Sequence, residues 1–219
     1  MRKLLPIALA LFLPSTHLAS ANVYQEKKGL VVIELENTSS KLGKWKKSKE
    51  LKGFAGKGYL QFTGNKPKGG KATSPIEYRF KISKGGLYHL HLHCAKQTVD
   101  GRSDLANDCY IRVEGDYEAG PKAGDTHKDQ APLKMLKSDT KIYGGADKKF
   151  AWATGNRLDP GGHNNKRVVV YNFKAGEEYK IVISGRSQLF QIDRLVFRRD
   201  DVKTADAQDL KLPESKKLK

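Results

Sequence analysis

Apolar and polar residues alternate along most of this chain with a period of two, and helical periodicity is almost absent. In LYHLHLHC, Leu90 and Leu92 fall on one face of an extended segment, and His89, His91 and His93 on the other. In VVIELENTS, Val31, Ile33 and Leu35 point one way, and Glu34 and Glu36 the other. The pattern predicts strands near Leu30–Glu36, Gly58–Phe62, Ile76–Ile82, Leu87–Cys94 and Cys109–Val113. The second half adds Phe150–Ala153, Val168–Phe173, Tyr179–Ser184 and Leu189–Phe197. Glycine turns separate several of these runs. Lys84-Gly85-Gly86 and Lys174-Ala175-Gly176 read as short hairpin connections, RFKI to LYHLHL and VVVYNF to YKIVIS. Many short strands with turns at this spacing define an all-β chain, an antiparallel β-sandwich in a single domain. Three long loops, 96–108, 116–149 and 154–166, are where binding residues are expected on such a scaffold.

The ends depart from this pattern. Residues 1–21, MRKLLPIALALFLPSTHLASA, have a basic start, an apolar run of about ten residues and a small-residue cleavage pattern, as in a secretory signal peptide. Cutting is expected before Asn22, and the apolar run is too short to span a bilayer. No membrane span is expected, and the chain reads as exported, periplasmic or extracellular. Residues 22–29 form a lead-in, 30–199 the sandwich, and 200–219 a basic tail without apolar periodicity, expected to be disordered. The formal charge is +17, and +15 once Arg2 and Lys3 are removed. An exported protein rarely meets nucleic acid, so no nucleic-acid partner is expected. Either the charge suits anionic polysaccharides or envelope polymers, or lysine simply keeps the chain soluble. The expected state is a monomer.

Two cysteines remain, Cys94 ending one predicted strand and Cys109 opening the next. In an oxidising compartment an isolated pair of this kind forms a disulfide, which adjacent antiparallel strands would permit. The sharper alternative is metal ligation by His89, His91, His93 and Cys94; with apolar Leu90 and Leu92 opposite, a half-exposed strand is favoured over it.

Two glutamates side by side on one strand face repel each other unless the face is wet or something positive lies between them. Three segments bear on this. IELEN is followed by Trp45; GKGYLQF precedes the paired IEYRFKISKGGLYHLHLH; YKIVISGRSQLFQIDRLVF closes the sandwich. In this order they resemble the carbohydrate-binding modules of the galactose-binding-like, jelly-roll type, families 6 and 35, over most of 30–198. The resemblance implies one structural Ca²⁺ held by Glu34, Glu36 and Asp193, consistent with the oxygen ligands calcium takes. A solvated strand edge, with Asp193 paired to Arg194 or Arg198, is the alternative. The resemblance also implies sugar contacts from loop-end aromatics and amides. The candidates are Trp152, Tyr59, Asn164, Asn165 and Arg186, each with a core, turn or ion-pair explanation beside it.

No nucleophile elbow, zinc-type histidine motif or phosphate loop occurs. Three readings follow. The first is an exported, non-catalytic carbohydrate-binding protein with a structural calcium ion and a leaning towards anionic polysaccharide. The second is a jelly-roll polysaccharide lyase or glycoside hydrolase, using Tyr171, His163 and Arg186. The third is an envelope adhesion or structural protein.

Overall fold

The period-two runs form strands whose apolar sides meet between two sheets. A computed structural model of the chain describes residues 22–120, 130–154, 157–159 and 168–218. In chain order the strands are β1 (Val23–Gln25), β2 (Leu30–Glu34), β3 (Trp45–Ser48), β4 (Tyr59–Phe62), β5 (Thr73–Lys81), β6 (Gly86–Lys96), β7 (Asp108–Glu114) and β8 (Glu118–Ala119). They continue as β9 (Thr140–Tyr143), β10 (Ala146–Asp147), β11 (Ala151–Thr154), β12 (Leu158–Asp159), β13 (Val170–Phe173), β14 (Glu178–Gly185), β15 (Gln191–Arg199) and β16 (Lys217–Leu218). The first sheet runs β12-β9-β7-β14-β5-β1-β16, and the second β3-β4-β15-β6-β13-β8. In the second sheet β2 also pairs β15, while β10 and β11 pair β6. The result is a two-sheet β-sandwich, antiparallel apart from β1 beside β5 and β10 beside β6.

The two glycine turns do not make hairpins. β5 and β14 lie in the first sheet, β6 and β13 in the second, so each turn carries the chain across the sandwich. That crossing lets both partners keep an apolar face inward. Ile76, Tyr78 and Phe80 of β5 face Leu90 and Leu92 of β6 and Leu195 and Phe197 of β15 through one continuous core. Its centre is aromatic, with Phe80 and Phe197 stacked at 4.7 Å and Phe173 and Tyr179 at 4.4 Å between ring centroids. On the outer side of the first sheet Glu77, Arg79, Arg112, Glu114 and Lys180 stand towards water, with Lys180 bridging Glu114 at 2.8 Å. That sheet obeys the simple rule of apolar inside and polar outside.

The second sheet does not, and the expected half-exposed histidine face is a correction. His89, His91 and His93 are all buried. The C-terminal segment, expected to be disordered, is laid across that face instead. Thr204–Ala207 forms a short helix, and Ala207 and Leu212 pack on Val32 and Val196. Ser215 exchanges hydrogen bonds with Val32, and β16 pairs with β1. The reason is on the covered face: β2 and β15 present Val32 and Val196 outward, and burying them ties the segment down despite its polar composition. Glu214 is its anchor, accepting the Tyr24 hydroxyl at 2.9 Å, the Glu34 backbone N–H at 3.2 Å and the Asn37 side-chain amide at 3.1 Å. Glu214→Ala is expected to lower stability by about 2 kcal/mol in urea denaturation, in the range of lost charge-assisted hydrogen bonds. A loss below about 0.5 kcal/mol would mean the anchor is idle.

The expected adjacency of the two cysteine strands is also corrected. Cys94 and Cys109 are free and buried. They are not on adjacent strands: β6 belongs to one sheet and β7 to the other, and both thiols face the shared core. Burial pushes both thiols well above the ordinary value, which favours their protonated form.

Candidate functional site

The Glu34–Glu36 pair ends up closer to the sequence reading than its strand does. β2 stops at Glu34, and Leu35–Asn37 turns as a single 3₁₀ coil, so Glu36 leaves the strand. Leu35 still enters the core, and Glu36 is buried beside Glu34. The third acid comes from a β-bulge. The register between β15 and β6 slips between Ile192 and Arg194, leaving Asp193 as the extra residue. Bulges of this kind re-aim a side chain. Here Ile192 and Leu195 both face the core, while Asp193 joins the two glutamates.

Glu34, Glu36 and Asp193 each place a carboxylate oxygen within 4.8 Å of the others, all three buried. Asp193 Oδ2 accepts the Ala55 N–H at 2.9 Å and contacts His93 Nδ1 at 2.6 Å. Glu36 Oε1 accepts the Lys57 N–H at 2.9 Å. Arg194 forks onto Glu34, with Nε donating to Oε2 at 3.2 Å and Nη2 bonded to Oε1. Two oxygens, Glu36 Oε2 and Asp193 Oδ1, are buried and have no partner. Gly56 closes the site from above with φ +64°, and a Cβ there would stand 2.7 Å from Glu36 Oε1. Burial raises the Glu36 carboxyl to about 7, against the opposing backbone hydrogen bond from Lys57. It raises Glu34 as well, Arg194 pulling the other way.

This arrangement fits a hard cation. An ion bound at 2.3–2.6 Å needs oxygens no more than about 5 Å apart, and the two orphaned carboxylate oxygens are available to it as ligands. The alternative of Asp193 paired with Arg194 or Arg198 does not occur: Arg194 serves Glu34, and Arg198 bonds His91 and the carbonyl of Val202.

The sugar candidates scatter. Tyr59 is fully buried on the outer side of the second sheet, packed with Phe54 and Phe150, its hydroxyl accepting the Leu51 N–H at 3.1 Å. Arg186 holds the buried Asp108 through both carboxylate oxygens, at 2.7 and 2.6 Å, and so works as a structural ion pair. Asn164 and Asn165, with His163, lie outside the described residues. Trp152 alone stays half-buried at an opening. Its ring lies 4.8 Å from that of His93, and it lines an end-of-sandwich cleft with Tyr143, Asn107, Asp104, Lys96 and Arg157. Arg157 sits over the Tyr143 ring at 5.5 Å, and Lys96 Nζ donates to the Ser103 carbonyl at 2.8 Å. Sequence reasoning missed Tyr143, Asn107 and Arg157. Only Tyr143 carried a signal, as an aromatic in a long glycine-containing loop. Tyr171, the phenol of the alternative lyase reading, is wholly buried among Tyr117, Phe173 and Phe197, and neither it nor Arg186 lines the cleft. Among the described residues, no helix is long and apolar enough to cross a membrane.

No protein-family model matches the sequence, and neither does any curated protein. Among solved structures, the chain is similar to a GH26–CBM35 β-1,4-mannanase from Podospora anserina, with a TM-score of 0.49 and 14% identity. That match covers 81% of this chain and 29% of the mannanase, so the chain spans under a third of that protein. A family 35 carbohydrate-binding module from Clostridium thermocellum is similar at 0.47 and 16% identity, covering 78% of this chain and 98% of the module. A family 6 module from Clostridium stercorarium, in complex with cellobiose, gives 0.43 and 15% identity, covering 81% and 98%.

Proposed function

We propose that this chain is an exported, non-catalytic carbohydrate-binding protein that favours anionic polysaccharide and is stabilised by a calcium ion at Glu34, Glu36 and Asp193. The observation that carries it is the open cleft in which Trp152 and Tyr143 are ringed by Asn107, Asp104, Lys96 and Arg157. Aromatic faces with convergent hydrogen-bonding groups are what sugar rings need: apolar C–H faces stack, and hydroxyls take the polar contacts. Export is supported by the N-terminal pattern, and the anionic leaning by the formal charge, +17 less the two of Arg2 and Lys3, or +15. The calcium reading is supported by the two orphaned carboxylate oxygens. Calcium would supply charge neutralisation and a joint between β2, β15 and the loop carrying Ala55 and Lys57; the residues themselves hold that joint with the bonds already described.

Affinity electrophoresis against neutral and acidic polysaccharides, with product analysis of the same samples, tests the reading. Retardation without released sugar is expected. Trp152→Ala should weaken binding about tenfold or more, as for a buried aromatic anchor. Shortened chains in the product analysis would make the protein an enzyme, and binding unaffected by Trp152→Ala would move the site elsewhere.

A further inference from the structure

Seven lysines, Lys41, Lys44, Lys46, Lys47, Lys49, Lys52 and Lys57, fall within seventeen residues that contain one acid, Glu50. The fold gathers three of them. Lys47 on the edge strand β3, Lys49 just beyond it and Lys57 in the next loop line an open cleft whose other wall is Glu36 and Asn37. Among the described residues, none of these three ammonium groups has a carboxylate partner, although Glu50 stands on the same rim. In the opposite wall the Glu36 side chain is only 4% exposed, and its Oε2 has no partner. The three ammonium groups thus share one opening with Glu50 and with Glu36, whose buried carboxylate belongs to the acidic triad.

We propose that this cleft is a second ligand site, for a tetrahedral oxyanion ester, sulfate or phosphate, carried on a polysaccharide chain. The proposal rests on the carbohydrate-binding reading and places its anionic preference at a site apart from Trp152. Arginine's fork suits carboxylate and phosphate alike, whereas lysine binds phosphate-like oxygens as a mobile point charge, and here three such charges converge. No arginine lines this cleft, since Arg194, the nearest to Glu36 through Glu34, is committed to Glu34. A divalent cation at the acidic triad, together with Arg194, would neutralise its three carboxylates and leave the lysines to set the sign of the cleft. Lysines on an edge strand also discourage edge-to-edge pairing of sheets. That role alone predicts aggregation when they are removed and no change in binding.

The test compares the full chain with Lys47→Gln/Lys49→Gln/Lys57→Gln and with an equal-charge control, Lys68→Gln/Lys134→Gln/Lys203→Gln, all exposed positions. Probes are dextran sulfate, a phosphorylated mannan, polygalacturonate and unmodified dextran and mannan, with melting curves to confirm folding. The cleft variant should bind the sulfated or phosphorylated polymer about thirtyfold more weakly, roughly threefold per exposed ion pair. The control should lose under threefold, and the stronger of the two ester polymers names the ester. Equal losses in both variants would reduce the effect to overall charge and overturn the site. Tighter binding of polygalacturonate than of either ester polymer would overturn the choice of anion. Binding of neutral polymer tests the Trp152 reading separately: it should survive the lysine changes and fail in Trp152→Ala. If Trp152→Ala instead abolishes ester-polymer binding, the anion belongs to the other cleft and this proposal falls.

Discussion

Arg194→Ala is expected to destabilise the protein by about 3–5 kcal/mol, the range found when one member of a buried ion pair is removed. Arg194 is 2% exposed and Glu34 4%, so water cannot replace the lost partner. The guanidinium also donates to the Asp209 carbonyl at 3.3 Å, fastening the C-terminal segment to the sheet beneath it. Its loss leaves Glu34 ionised against Asp193, whose negative charge already adds to the burial that raises the Glu34 carboxyl. The double variant Arg194→Met/Glu34→Leu should recover most of the loss, because an apolar pair of similar volume avoids the desolvation of both charges. Urea denaturation of the single and double variants reads this directly. A single-variant loss below about 1 kcal/mol would mean that Glu34 is wet or protonated in the native state. Saturating calcium should shrink the single-variant loss, since the ion would take over the neutralisation of Glu34.

The same residues show what the sequence could and could not disclose. Period-two alternation located nine strands to within a few residues, because burial of one face is a local demand that each strand answers in its own composition. It could not say which sheet a strand joins. The Lys84–Gly86 and Lys174–Gly176 turns are short enough for hairpins, yet both cross the sandwich, and that choice depends on what the second sheet needs opposite it. The placement of the two cysteine strands in opposite sheets was hidden for the same reason. Val23–Gln25, which lies between β5 and β16, and the edge strand Trp45–Ser48 went unseen, the latter because its lysines mask the alternation around the buried Trp45. The C-terminal segment looked disordered because its few apolar residues, Ala207 and Leu212 among them, show no period; they answer a patch on β2 and β15, not one another. The acidic triad was legible only through resemblance. Spacing put two glutamates together, but nothing local announces that a bulge brings Asp193 to them. Tyr59 misled in the opposite direction: an aromatic in a glycine-tyrosine strand proves to be core on the outer side of a covered sheet.

Calcium should raise the melting temperature by roughly 5–10 °C over the chelated protein at pH 7.5. A ligand at a hundred times its Kd stabilises by about 2.7 kcal/mol, and each kcal/mol moves the midpoint by about 2–4 °C in a domain of this size. The effect has a pH signature whose sign differs between the two forms. In the chelated protein, folding holds the Glu36 carboxyl near 7, above its ordinary value of 4.5. The native state therefore keeps a proton that the unfolded chain gives up, and stability falls as pH rises from about 4.5 to 7, by up to about 3 kcal/mol. Glu34, raised in the same direction, adds to the fall. The ion requires those carboxylates ionised, so below pH 7 each unit of acidification weakens its binding about tenfold, or about 1.4 kcal/mol. The calcium-dependent gain should thus be full at pH 7.5 and nearly gone by pH 5. Glu36→Gln separates this from a general salt effect. The amide cannot ionise, so the chelated variant should exceed the chelated wild type in stability at pH 7.5 and show little response to calcium. Melting curves that coincide with and without chelator at pH 7.5 would take the ion out of this protein and leave the two orphaned oxygens to the protonated form of Glu36.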